Sequence, residues 1–153
     1  MSADARLAEL NLELPPAPKP GGTYKPVVQV GNMLYVSGHG PLLPDKTLIK
    51  GKVGDTMTGE EANHAAKITG LAILATLKNH LGSLDKVVRT VKLLGMVNAT
   101  PDFETHPAVI NGCSDLFREV FGEDGVGARS AVGLGSLPGQ IAVEIEVIFE
   151  IKD

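Results

Sequence analysis

The stretch 141–152, with the sequence Ile-Ala-Val-Glu-Ile-Glu-Val-Ile-Phe-Glu-Ile-Lys, decides the fold of this 153-residue chain. Its first residue and every second residue after it are large and apolar, and four of the six residues between them are charged. Because successive side chains of a strand point to opposite faces, this period of two predicts a long β-strand with one buried face. Such a strand requires partner strands and a second layer that covers its apolar face.

The segments before this strand supply the partners. Residues 27–30 and 33–37 are rich in branched and aromatic side chains, and the Gly-Asn pair at 31–32 that links them is typical of a tight hairpin. Residues 87–97 form a third β-rich segment, and a further strand begins at Arg129, directly after a glycine-rich loop. Together with 141–152, these segments predict one sheet.

Helices are predicted between the strands and near the N-terminus. After a long glycine- and proline-rich loop at 38–57, the run Thr58-Gly59-Glu60-Glu61 has the pattern of a capping box, and the helix that it opens ends at Gly82. A second helix opens at Thr105-His106-Pro107 and ends before Gly122. Residues 6–14 predict a short amphipathic helix that leads into a proline-rich, extended arm.

The main segments therefore follow the order β-β-α-β-α-β-β. This order predicts an α+β fold, in which a mixed sheet carries two helices packed on one face. No internal repeat is visible in the sequence. Residues 1–153 are predicted to form a single domain, with residues 1–21 as an N-terminal arm.

Composition argues against several classes of function. The net charge is −4 and the 14 Lys and Arg residues are dispersed, so nucleic acid is not expected as a partner. No apolar run approaches the roughly 18 residues of a membrane helix, and the first residues do not lead into a signal sequence. A single cysteine, Cys113, cannot form an internal disulfide, so we expect a cytoplasmic location. The four histidines lack metal-ligand spacing, and no metal site is predicted.

Two charged residues are candidates for chemistry. Arg129 opens a strand after a glycine-rich loop, where its planar guanidinium could bind a carboxylate through two parallel hydrogen bonds. Glu144 lies on the face of the last strand opposite the apolar row. Both could equally be ordinary surface charges, so spacing alone predicts an α+β domain and leaves its activity open.

A resemblance to a known family adds to this interpretation. The chain is similar to the RidA/YjgF family of reactive-intermediate deaminases, also labelled the endoribonuclease L-PSP family, over roughly residues 22–151. The motifs that carry the resemblance are Ala128-Arg129-Ser130-Ala131-Val132, Leu137-Pro138, the Val-Glu-Ile-Glu run at 143–146, Tyr24, the segment 30–38 with its final Ser-Gly, Asp102-Phe103 and Asn111.

The resemblance implies a chorismate-mutase-like fold that assembles as a homotrimer with clefts between subunits. It implies hydrolysis of 2-imino or 2-enamino acids to 2-oxo acids and ammonia, as in a 2-iminobutanoate/2-iminopropanoate deaminase, without a cofactor. Arg129 would bind the substrate carboxylate, and Glu144 would be the general base for the attacking water. The substrate-binding residues that it implies are Tyr24, Ser37, Gly38, His39, Asn111, Ser130 and Ala131.

Three positions depart from the family pattern. His39 stands where many members have glutamine, Ala131 replaces a frequent cysteine, and Gly127 replaces a proline. These changes lie around the expected mouth of the cleft and bear on the substrate range. Two alternative functions stay open at this point, a non-catalytic protein that binds small carboxylates and an endoribonuclease or translation inhibitor.

Overall fold

The structure, a computed structural model, describes residues 2–153 and contains one mixed sheet with helices packed against it. Met1, the first residue of the predicted arm, lies outside the described residues. The helices are α1 (Ala3–Glu9), α2 (Gly59–Leu81) and α3 (His106–Phe121), and the strands are β1 (Val27–Val30), β2 (Met33–His39), β3 (Val87–Asn98), β4 (Ala128–Leu134) and β5 (Val143–Ile151). The predicted α+β fold and its order of segments are confirmed.

The last strand has one buried face, as its alternation predicted, and it is at the centre of the sheet. The strand order is β1-β2-β5-β3-β4, and β5 pairs antiparallel with both β2 and β3. Strands β3 and β4 run parallel, which makes the sheet mixed. The apolar row of β5 is buried under α2 and α3, and the side chains of Ile145 and Phe149 have no exposed surface.

Local signals set the ends of the elements. The capping box of α2 is present, with the Thr58 hydroxyl accepting from the Glu61 amide at 3.2 Å, and Gly82 ends this helix at a φ of 83°. The N-terminal helix begins earlier than predicted, at Ala3, because the Ser2 side chain caps it by accepting from the Ala5 amide. The helix ends before residue 14, since Asn11 adopts a φ of 53°.

Helices α2 and α3 pack so closely that glycine is required at their contact. A Cβ atom at Gly112 of α3 would fall on the backbone carbonyl oxygen of Asn63 in α2. A backbone group cannot move aside as the end of a flexible side chain can. This contact holds α3, and with it Asn111, at a fixed distance from α2.

We expect Gly112→Ala to lower the free energy of unfolding by about 1–3 kcal/mol, because overpacking forces the two helices apart. Denaturant unfolding of the variant measures the loss. Gly59→Ala is the matched control, since a Cβ at Gly59 meets nothing closer than Phe103 ring carbons at 4.0 Å. Equal stability of the two variants would show that the helices are not in tight contact at Gly112.

Candidate functional site

The register of the sheet places the two candidate catalytic residues on opposite faces. Arg129 of β4 pairs with Leu93 of β3, and Leu93 pairs with Val147 of β5. Leu93 and Val147 are buried beneath the helices, so Arg129 lies on the covered face of the sheet. Glu144 alternates with the buried residues of β5 and therefore lies on the open face. A single subunit does not bring the two side chains together.

On the covered face, helix α3 orients the guanidinium of Arg129. Its Nη1 atom donates to the Oδ1 atom of Asn111 at 2.7 Å and to the Oγ atom of Ser114 at 3.2 Å. Among residues 2–153, no carboxylate forms an ion pair with Arg129. The cation is thus fixed through one nitrogen, and its charge has no internal counter-ion within the described chain.

A cavity of about 290 Å³ lies beside this guanidinium. Asn111, Ser114, Asp115 and Arg118 belong to its polar lining, and Leu93 and Val126 contribute apolar surface. Its volume is close to the lower end of the range of roughly 300–1,000 Å³ for small-molecule pockets. The residues that line it can therefore bind a small carboxylic acid with its carboxylate on Arg129.

Gly127 forms part of the wall of this cavity and accounts for one departure from the family pattern. A Cβ atom at this position would lie 2.6 Å from the carbonyl oxygen of Thr90. The start of β4 therefore approaches the backbone of β3 more closely than a residue with a side chain permits. This close approach sets the position from which Arg129 projects.

On the open face, Glu144 lines a second cavity of about 570 Å³. Its other lining residues are Gly21, Tyr24, Ser37, Gly38, Pro138 and Glu146. Burial raises the pKa of the Glu144 carboxyl above its usual value, and the neighbouring charge of Glu146 adds to this shift. A carboxylate with a raised pKa is a stronger base, which suits proton transfer near neutral pH.

Gly38 is packed directly against this carboxylate. A Cβ atom at Gly38 would lie 2.5 Å from the Oε2 atom of Glu144, so a larger residue at this position would displace the carboxylate. The preceding residue, Ser37, is fixed to the end of the N-terminal arm. Its hydroxyl donates to the carbonyl oxygen of Lys25 at 2.5 Å, and its amide donates to the carbonyl oxygen of Pro26 at 2.9 Å.

Tyr24 reaches the same cavity from the arm and is half exposed. Its hydroxyl accepts a hydrogen bond from the Gly21 amide at 3.2 Å, which folds this end of the arm back on itself. Tyr24, Ser37, Gly38 and Glu144 are therefore brought together as the second cluster of predicted site residues. Asn111 and Arg129 form the first cluster.

The other three predicted binding residues line neither cavity. The side chain of His39 turns into the core, is 6% exposed, and contacts Thr76 of α2. Ser130 lies on the open face, where its hydroxyl accepts from the Nζ atom of Lys92 at 3.3 Å. Ala131 packs against the edge of the core. Any contact of these residues with a substrate remains a prediction.

Sequence reasoning missed two residues of the clusters. Ser114, which helps to orient Arg129, is three residues after Asn111 on α3, and this spacing places both side chains on one face of the helix. That spacing could have revealed it. Glu146 lines the Glu144 cavity because it is two residues further along the same strand, and its charge looked like that of an ordinary surface residue.

Two features are absent from residues 2–153. The described part of the chain contains no group of three or more His, Cys, Asp or Glu side chains arranged to hold a metal ion. None of its helices combines the length and the apolar character needed to cross a membrane.

Comparison with known proteins identifies the fold. Residues 4–141 match the family described as "YjgF/chorismate_mutase-like, putative endoribonuclease". The chain is 42% identical to a structurally characterised protein of unknown function from Agrobacterium tumefaciens, with a TM-score of 0.90 over 98% of this chain and 92% of that chain. The resemblance seen in the sequence and the chorismate-mutase-like fold are both confirmed.

Two curated relatives extend this comparison. Protein TCP17 of Trypanosoma cruzi is 38% identical over 150 residues, which cover 97% of this chain and 94% of the relative. A protein of Dermatophagoides farinae named 2-iminobutanoate/2-iminopropanoate deaminase is 30% identical over 142 residues, which cover 92% of this chain and 95% of the relative.

Proposed function

The chain belongs to the YjgF/chorismate-mutase-like family, and on that premise we propose that it hydrolyses reactive 2-imino and 2-enamino acids to 2-oxo acids and ammonia. The observation that carries the proposal is the oriented guanidinium of Arg129, which lies beside a small cavity and has no ion-pair partner among residues 2–153. A buried or half-buried cation without an internal partner suits an anionic ligand. The name of the relative from Dermatophagoides farinae supports the choice of substrate.

The site needs a second copy of the chain to be complete. Arg129 and Glu144 lie on opposite faces of one sheet, so a substrate that touches both has to lie between subunits. The open face is also unusually apolar for a surface exposed to water, with Val28, Val30, Tyr35 and Val132 exposed and Val30 exposed by 63%. We infer a homotrimer in which the Arg129 cluster of one subunit meets the Glu144 cluster of the next.

The reaction follows from the chemistry of the two clusters. Arg129 binds the substrate carboxylate and thereby fixes the imine carbon. Glu144 removes a proton from a water molecule as the water oxygen bonds to the carbon of the protonated imine, which gives a neutral carbinolamine. Glu144 returns that proton to the amine nitrogen, and it then takes the hydroxyl proton as the C–N bond breaks and the C=O bond forms. The products are a 2-oxo acid and ammonia, and Glu144 loses its proton to the ammonia or to solvent before the next cycle. An enamine substrate first takes a proton from solvent on its β-carbon, which gives the same protonated imine.

A coupled assay tests the proposal. A serine or threonine dehydratase generates the enamine, and the rate of 2-oxo acid release is followed with and without this protein. We expect faster release with the protein present, and sedimentation at three times the subunit mass of 16.0 kDa.

Several amino-acid precursors are assayed in the same way. If none gives faster release while 2-oxo acids bind saturably, the protein binds carboxylates without turnover and the deaminase proposal fails. Sedimentation as a monomer would show that the protein has no cleft between subunits, which would contradict the proposed site. The net charge of −4 gives no support to RNA as the substrate.

A further inference from the structure

The two residues that lie beside the Glu144 carboxylate are outside the regular ladder of the sheet. The pairing of β2 with β5 shifts register between Val36 and His39, so Ser37 and Gly38 have no partner on β5. A bulge of this kind redirects side chains and backbone groups, and bulges are common beside active sites. The Ser37 amide and hydroxyl are bonded on the other side of the strand, to Pro26 and Lys25, so the Ser37 carbonyl is the group that still needs a partner.

The imidazole of His39 supplies that contact. Its Nδ1 atom lies 2.6 Å from the carbonyl oxygen of Ser37, and its Nε2 atom lies 2.7 Å from the Oγ1 atom of Thr76 in α2. A carbonyl oxygen only accepts, so Nδ1 carries the proton and donates it to Ser37. Burial lowers the pKa of His39 and keeps the ring neutral, so Nε2 accepts from the Thr76 hydroxyl.

This hydrogen bond controls the orientation of a whole peptide group. The Ser37–Gly38 peptide is planar and trans, as are all peptide bonds of the described chain, so its carbonyl and its amide point in opposite directions. Holding the Ser37 oxygen therefore fixes the Gly38 amide. That amide belongs to the residue whose Cα packs against the Glu144 carboxylate.

We propose that His39 is a positioning residue, which through its bond to the Ser37 carbonyl holds the Ser37–Gly38 peptide against Glu144. The expected effect on kcat rests on the proposed deaminase function. The expected effect on the Ser37–Gly38 peptide rests only on the geometry of the bulge. It replaces the expectation that His39 touches the substrate. It also gives a reason for histidine at this position, since the ring spans the distance from the bulge to α2.

Two replacements of His39 separate its two hydrogen bonds. The amide nitrogen of His39→Asn can take the place of Nδ1, whereas the amide of His39→Gln reaches the place of Nε2 and loses the donor to Ser37. Thr76→Val is the matched control, because it removes only the partner of Nε2 and Thr76 lines neither cavity. Each of the three variants loses one of the two buried hydrogen bonds made at position 39 and is expected to lose similar stability, about 1–3 kcal/mol.

We expect the three variants to differ in kcat. His39→Gln lowers kcat for imine hydrolysis by about 10-fold to 100-fold with KM unchanged, because a small displacement of the site is costly. His39→Asn restores most of kcat, and Thr76→Val keeps it within about twofold of the wild type. Equal losses of kcat in His39→Gln and Thr76→Val would show that the ring only stabilises the fold, which would overturn the proposal.

A second measurement does not depend on activity. The NMR order parameter of the Gly38 amide, measured on protein labelled at glycine nitrogen, reports how rigidly the peptide is held. We expect a lower order parameter in His39→Gln than in Thr76→Val or in the wild type. If the wild type has no deaminase activity, the proposed function fails while this measurement still decides the role of His39. An unchanged order parameter in His39→Gln would overturn it.

Discussion

Arg129→Ala is expected to lower kcat/KM for imine hydrolysis by about 10²-fold to 10³-fold, since each charge-assisted hydrogen bond to the substrate contributes about 1.5–3 kcal/mol. Asn111 and Ser114 already hold one nitrogen of the guanidinium, so its remaining donors are pre-oriented for a carboxylate. Alanine removes both the positive charge and the planar guanidinium that can make two parallel hydrogen bonds. The coupled assay with purified variant measures the loss.

Two controls separate binding from folding and from net charge. Arg118→Ala removes an equal charge from the same cavity, but Arg118 is exposed and paired with Glu123 at 3.4 Å, so we expect a change of no more than about threefold. Arg129→Lys keeps the positive charge without the planar guanidinium and should retain only part of the activity. Wild-type activity in Arg129→Ala, with the variant folded and assembled, would refute the role of this residue as the carboxylate anchor.

Glu144→Gln is expected to lower kcat by about 10²-fold to 10⁴-fold, the usual contribution of a general acid-base group. Glutamine has nearly the same shape and still packs against Gly38, yet it cannot take a proton from water. Binding of the 2-oxo acid product should change little, because its carboxylate is bound by Arg129, whose contacts with Asn111 and Ser114 this substitution leaves intact. Calorimetric binding measured beside the kinetics distinguishes lost chemistry from lost binding.

The raised pKa of Glu144 also predicts two effects of pH. As the pH is lowered, the activity of the wild type should begin to decrease at a pH above 4.5, the ordinary pKa of the carboxyl group. The reason is that the raised pKa of Glu144 causes the catalytic carboxylate to be protonated at a higher pH. Between the unfolded and the folded pKa the native state binds more protons, so rising pH lowers the free energy of unfolding. Glu144→Gln should therefore be more stable than the wild type at pH 7, and this difference should vanish below the unfolded pKa of about 4.3.

Denaturant unfolding of the wild type and of Glu144→Gln, at pH 7 and at a pH below about 4.3, checks the predicted difference in stability. The wild type could instead lose activity only near the usual pKa of a glutamate carboxyl, and Glu144→Gln could be as stable as the wild type at pH 7. These two results together would show that Glu144 is fully hydrated in the assembled protein. It would then lack the environment that general base catalysis near neutral pH requires.

The amino-acid sequence by itself determined the elements of the fold, because their signals are local. The alternation in 141–152 depends only on the geometry of one strand, and it predicted the half-buried strand β5, whereas its central position depends on its pairing with β2 and β3. The capping box at Thr58 and the glycine at 82 act within a few residues of each helix end, and both helix ends were predicted. The Gly-Asn link at 31–32 likewise determined the hairpin.

Only the tertiary structure decided how the candidate site is arranged. That Arg129 and Glu144 lie on opposite faces follows from the register of β4, β3 and β5, which depends on pairings between residues far apart in the chain. The direction of His39 depends on a bulge opposite β5 and on Thr76 of α2, and neither is visible in the residues around position 39. Local sequence determines which residues form a strand or a helix, whereas the side chains that meet are determined by long-range packing and register.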